Sequence, residues 1–145
     1  MSRFAIVISR YYAELAERLE AGARAALGEA GAEVDLFEVA GAYELPLGAK
    51  YAADSGQYDG VVCLGAVVRG ETTHYDHVAG EAARGIMEVQ LTTGVPVGFG
   101  VVTVENMDQG LARTGGSKRD EGRHAAQAAL RMAEVRREIA GAVNA

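Results

Sequence analysis

Apolar residues follow two rhythms along this chain. "FAIVI" (4–8), "VDLFEV" (34–39), "YDGVVCLGAVV" (58–68) and "PVGFGVVTV" (96–104) are short apolar-rich stretches. The first and third are close to unbroken, which predicts strands buried on both faces of a sheet. Between the stretches the spacing turns helical. Tyr12, Leu15, Leu19, Ala23, Ala26, Leu27 and Ala30 fall on one stripe, and Gly31 ends it as a C-terminal cap. "LPLGAKYAADSG" predicts a short helix closed by Gly56. A longer helix runs from about Tyr75 to Thr93 with Val78, Ala82, Ile86 and Val89 facing inward. "ENMDQGLARTG" predicts another short helix, stopped by Gly115–Gly116, and a last helix runs from about Asp120 almost to the end.

Strands that alternate with helices imply parallel pairing through crossovers. The expected fold is therefore α/β: a three-layer sandwich with a four-stranded, mainly parallel sheet and helices on both faces. The 145 residues suit one domain, 1–145, and show no repeat, linker or low-complexity tract. Four strands make a small sheet, so its edges are candidates for cover by other subunits.

Composition narrows the classes. Hydrophobic residues make up 49 % and charged residues 23 %, which is globular composition. The net charge is −6, and the basic clusters "SKR" and "EVRRE" are interleaved with acids. A phosphate backbone would find no basic footprint, so nucleic acid is not an expected partner. No apolar run approaches the roughly 20 residues of a membrane span, and "FAIVI" is too short for a secretory signal. The single Cys63 excludes an intramolecular disulfide, which fits the reducing cytoplasm. Its place within "VVCLG" marks it as a core residue rather than a nucleophile.

Ligands of such sheets bind beyond the carboxyl ends of the strands. Those ends carry "SRYY" (9–12), "AGAYE" (40–44), "RGETTH" (69–74) and "VENMD" (104–108). In "RGETTH", Gly70 permits a sharp turn and the next backbone N–H groups open a helix, an arrangement that favours an anion. Thr72 and Thr73 add hydroxyls, and the His74 imidazole can carry a proton beside that anion. Alternatively, Thr73 caps the helix with Asp76 in a capping-box-like pair. His77 reads as a surface or interface residue. His74 and His77 share a helix face with Asp76 between them, but no further ligand is placed near them, so no metal site is expected.

The glycines of "GVPVGFG" sit before and within a strand, where they mark close backbone approach rather than a nucleotide loop. Tyr43–Glu44 suits either a surface loop or a hydroxyl-bearing ligand. Arg113 can meet its own helix's dipole or clamp a phosphate with its planar fork.

Taken together, "SRYY", "GAYELP", "VVRGETTHYD" and "FGVVT…QGLARTG" resemble the lumazine synthase family along nearly the whole chain. The resemblance implies a flavodoxin-like fold and the condensation of 5-amino-6-(D-ribitylamino)uracil with 3,4-dihydroxy-2-butanone 4-phosphate, the penultimate step of riboflavin synthesis. By the same resemblance, Tyr11 matches the aromatic that stacks on the pyrimidine. Ala42, Tyr43 and Glu44 match the segment that holds the ribityl chain, and Val67 and Val68 the strand end that meets the ring. Glu71 and Thr72 match the phosphate turn, and His74 the acid–base residue. Phe99 and Arg113 match groups supplied by a neighbouring subunit, Arg113 as the phosphate's cation. No cofactor is implied, since the substrates supply nucleophile and electrophile.

The chain departs from the family's pattern at Tyr12 (usually Asn), at Ala66 (commonly Thr or a similar residue) and at His77 (commonly Tyr or Phe). Glu121 stands where a Lys is usual. The family implies a pentamer, in some members paired or built into a sixty-subunit shell. The turn "GGSKRDEG" lacks an insertion, as in shell-forming members. Relatives commonly carry an extra strand before the "FAIVI" position, where it joins a neighbour's sheet, and the short stretch before Phe4 leads to the expectation that this contact is missing. An archaeal-type riboflavin synthase and a non-catalytic flavin-binding or shell-forming relative are the alternative readings.

Overall fold

The computed structural model describes residues 2–144. Its strands are β1 (Arg3–Ser9), β2 (Glu33–Val39), β3 (Gly60–Val68) and β4 (Val97–Val104). They form one sheet in the order β2-β1-β3-β4, and every neighbouring pair is parallel. The helices are α1 (Ala13–Glu29), α2 (Leu45–Asp54), α3 (His74–Thr93), α4 (Met107–Arg113) and α5 (Glu121–Asn144), with a 3-10 turn at Ala42–Glu44 before α2. The four strands and five helices are those expected from the apolar rhythm.

Alternate strand residues feed two separate cores, as the two-residue period of a strand requires. Phe4, Ile6, Ile8, Val62, Leu64, Ala66, Val102 and Val104 face α1 and α5. Ala5, Val7, Val61, Cys63, Val67, Val97 and Val101 face α2 and α3. This double burial explains the unbroken apolar runs of β1 and β3. β2 is an edge strand and only partly buried, so it tolerates Glu33, Asp35 and Glu38. Arg3 pairs there with Glu33 at 3.0 Å, and Tyr58 donates to Asp35 at 2.8 Å.

The glycines within β4 have the expected role. A Cβ on Gly98 would collide with the backbone carbonyl of Ala125 in α5, and one on Gly100 would lie 2.6 Å from Leu64. A Cβ on Gly122 would likewise strike the carbonyl of Leu19 in α1. α5 therefore rests on both β4 and α1 at backbone distance. α1 ends at Ala30, and Gly31 follows with φ +73°, the left-handed conformation that glycine adopts without strain.

Candidate active site

From β1 the chain passes through α1 on one face of the sheet to reach β2, and from β2 it passes through α2 on the other face to reach β3. The connections leaving the carboxyl ends of β1 and β3 therefore diverge and leave a crevice between them, the usual ligand position in such sheets. A cavity of about 610 Å³ occupies it, a size suited to a small organic ligand. Its wall comes from four segments: Tyr11 and Tyr12 after β1, residues 40–44 after β2, Ala66 to Val68 at the end of β3, and Gly70, Thr72, His74, Tyr75 and Val78.

Most residues singled out from the sequence meet here. Tyr11 is three-quarters exposed, and its ring stands edge-on to Tyr12 with centroids 5.0 Å apart. Tyr12 lies partly buried against the α1 side of the core, which accounts for an aromatic at that position. Ala42 is buried, which turns Tyr43 and Glu44 outward, and the Glu44 carboxylate lies over Gly41. Val67 and Val68 end β3 and line the cavity. Thr72 and His74 line the cavity, whereas Glu71 is exposed beside it and not among the wall residues.

Phe99 and Arg113 lie apart from this wall. Phe99 is the third residue of β4, opposite Cys63 in register and 41 % exposed. Arg113 ends α4, where its Nη1 donates to the Gln109 carbonyl at 3.1 Å, the interaction with its own helix considered from the sequence.

The capping reading of Thr73 is corrected. Thr73 occupies the N-cap position of α3, but its φ of −74° and ψ of 0° are not the extended values of a capping residue, and its side chain accepts no N–H. The hydroxyl of Thr72 instead accepts the His74 N–H at 3.2 Å. Asp76 turns to Arg69, whose Nη2 lies 3.4 Å from its Oδ1.

Charges cluster at the rim. Arg10 pairs with Glu20 at 2.6 Å and Glu38 at 3.3 Å, tying α1 and β2 to the base of Tyr11. The hydrogen bond from Arg69 to Glu105 raises the guanidinium above its ordinary value, so it stays charged. Glu121 pairs with Arg119 at 2.6 Å, so its carboxylate is neutralised within its own turn. Burial pushes the Cys63 thiol up to about 12, which rules out a thiolate nucleophile. Among the described residues no three His, Cys, Asp or Glu side chains gather to hold a metal ion.

The sequence offered Ala40 and Gly41 only within the strand-end segment 40–44, and Tyr75 and Val78 not at all as wall residues. Val78 was legible only as a core position. Tyr75 carried a signal of its own, an aromatic directly after the histidine at a helix start.

The chain can therefore present an aromatic ring, a carboxylate, a strand end, a helix-start hydroxyl and a histidine around one cavity. That set suits a planar polar ring with a hydroxylated arm, together with an anion. The family model for 6,7-dimethyl-8-ribityllumazine synthase matches residues 1–137. A 6,7-dimethyl-8-ribityllumazine synthase of Novosphingobium aromaticivorans is 48 % identical over 136 residues, covering 94 % of this chain and 97 % of the relative. Those of Methylorubrum extorquens and Salinibacter ruber are 45 % and 43 % identical, covering 94 % and 96 % of this chain and 82 % and 91 % of theirs. With its parallel sheet, its cavity at the diverging strand ends and this similarity over nearly its full length, the chain belongs to the 6,7-dimethyl-8-ribityllumazine synthase family.

Proposed function

We propose that the protein, with residues 1–145 acting as one domain, condenses 5-amino-6-(D-ribitylamino)uracil with 3,4-dihydroxy-2-butanone 4-phosphate to give 6,7-dimethyl-8-ribityllumazine, as a transferase of riboflavin biosynthesis. The observation that carries this reading is the meeting of Tyr11, Ala42 to Glu44, Val67, Val68, Thr72 and His74 at one cavity.

The 5-amino group attacks the ketone, and loss of one water gives an imine. Elimination releases inorganic phosphate. The ribitylamino nitrogen then closes the ring with loss of a second water. Tyr11 stacks on the pyrimidine, and the Val67–Val68 backbone meets its polar edge. Glu44 accepts ribityl hydroxyls. Glu71 and Thr72 turn the backbone toward the phosphate, and His74 moves protons next to the leaving group. No cofactor takes part. The protein contributes mainly orientation, with proton transfer added to it.

Phe99 and Arg113 act in the site of a neighbouring subunit in a homo-oligomer, a pentamer at least, with Arg113 as the cation for phosphate. Their position outside the wall of their own cavity supports this. So do the exposed apolar side chains Leu47, Tyr51, Met87 and Leu91 on α2 and α3. We place the reaction in the cytoplasm, which suits an unpaired cysteine.

Mixing the purified protein with both substrates and following lumazine absorbance together with phosphate release tests the reaction. Formation of lumazine with one phosphate per turnover is expected. Consumption of added lumazine to give riboflavin would identify the alternative synthase, and flavin binding without turnover would identify the non-catalytic relative. Light scattering in solution tests the assembly.

A further inference from the structure

The segment between β3 and α3 carries Thr72 and His74, yet little holds it. Residues 70–74 are exposed. Among the described residues their hydrogen bonds are local: Asp76 and His77 N–H donate to the Thr73 carbonyl, and His74 N–H donates to the Thr72 hydroxyl. Among the described residues, no side chain of residues 70–74 bonds to another element.

Arg69, at the root of this segment, is tied in three directions. Its Nε lies 2.9 Å and 3.1 Å from the two carboxylate oxygens of Glu105, just past the end of β4. Its Nη2 lies 3.4 Å from Asp76 in the first turn of α3. Its Cζ sits 4.4 Å from the centroid of the Tyr75 ring, in the same turn. Tyr75 in turn packs on the core beneath α3 and lines the cavity beside His74. One rigid planar cation therefore joins the exits of β3 and β4 to the start of α3.

We propose that Arg69 is a positioning residue: stacked on Tyr75 and paired with Glu105 and Asp76, it fixes the first turn of α3, and with it Thr72 and His74, against the cavity. The proposal rests on the reading of Thr72 and His74 given above. Each tie is exposed and contributes little to overall stability. Their joint effect is on geometry, where a displacement of about 1 Å can cost roughly a hundredfold in rate. Lysine cannot reproduce the three ties at once, because it has a single charged centre and no planar fork.

The test compares wild type with Arg69→Met, Arg69→Lys, Tyr75→Leu and the Arg69→Met, Tyr75→Leu double variant. Arg69→Met should raise KM for the butanone phosphate and lower kcat, each roughly tenfold, through misplacement of the loop. KM for the ribitylaminouracil should stay within about twofold. Arg69→Lys, which keeps the charge and the fold, should fall between wild type and Arg69→Met. Tyr75→Leu should reproduce Arg69→Met, and the double variant should be no worse than either single one, because the two residues form one unit.

Exchange of the bonded amides of His74, Asp76 and His77 should quicken roughly ten- to a hundredfold in Arg69→Met, while the β3 and β4 amides keep their protection. Exchange unchanged at those three amides, or single effects that multiply in the double variant, overturns the proposal. An equal rise of both KM values with exchange quickened throughout the sheet overturns it too, since Arg69 would then be structural. If wild type forms no lumazine, the functional reading fails on its own, and the exchange comparison still decides whether Arg69 holds the loop.

Discussion

The two faces of the sheet are built on different terms. On one, α5 meets α1 and β4 at backbone distance, because Gly122 and Gly98 present no side chain to Leu19 and Ala125. Where α5 crosses α1 and β4 that face is closed within the chain, while Met132, Ile139 and Val143 further along α5 stay exposed. On the other, α3 spans twenty residues, yet among its side chains only Ala82, Ile86 and Val89 are fully buried. Its Leu91 is 77 % exposed, and Leu47 and Tyr51 of the adjacent α2 stand in solvent as well. Ala42, Val67, Tyr75 and Val78 connect the cavity to this second core. Tyr12, Ala66 and Val68 connect it to the first core, so the site draws on both faces at the strand ends. The contrast lies in closure: backbone contact seals one face where its helices cross, and side-chain contact alone holds the other.

The strongest way to break the contrast is on the sealed face. In Gly122→Val the added Cβ alone already collides with the Leu19 carbonyl. It should cost about 3 kcal/mol or more, because neither helix backbone can yield. Urea unfolding would register this as a lower midpoint with an unchanged slope.

Next comes the site. His74→Ala should lower kcat roughly ten- to a thousandfold while leaving the unfolding midpoint in place, since His74 is exposed and makes no core contact. Wild-type turnover at saturating substrate would remove it from proton transfer. A smaller effect is expected for Arg113→Ala, with KM for the butanone phosphate rising about ten- to a hundredfold as a charge-assisted contact is lost. Mixing that variant with His74→Ala would sharpen the point. If the two residues serve one site from neighbouring subunits, mixed assemblies should regain activity that neither variant has alone.

The smallest effect on the fold is expected for Met87→Glu with Leu91→Glu on the α2 and α3 face. Each should shift the intrinsic stability of the chain by no more than about 0.5 kcal/mol. The mass seen by light scattering should fall all the same. An unchanged mass would mean that this stretch of α3 is free surface.

Much of this division was legible in the residues. Continuous apolar runs gave β1 and β3 because both of their faces are buried, and a stripe of helical period gave α1 because only one side of it is. The glycines of "GVPVGFG" were readable as close approach, although not the helix they approach, since Ala125 lies far along the chain. The site was readable as strand ends plus a resemblance. Periodicity could not reveal Arg69 over Tyr75, because that pair forms across a turn with no fixed spacing. The capping reading of Thr73 failed because its backbone is not extended, its own carbonyl accepts the Asp76 N–H, and the Asp76 carboxylate turns to Arg69. Phe99 and Arg113 could not be placed by any intrachain pattern, because the cavity they are proposed to serve is not their own.

Cys63 gives the molecule a built-in clock. It is the chain's sole thiol, is fully buried between the two helical layers, and has no reactive thiolate at neutral pH. An alkylating reagent can reach it only when α2 and α3 lift from the sheet. The labelling rate therefore equals the intrinsic thiol rate multiplied by the fraction of molecules momentarily open. For an opening free energy of about 5 to 15 kcal/mol that fraction lies between roughly 10⁻⁴ and 10⁻¹¹. One mass shift, timed in native buffer without denaturant, would thus report how often the core beneath α2 and α3 opens, and how far subunit assembly or bound substrate slows that event.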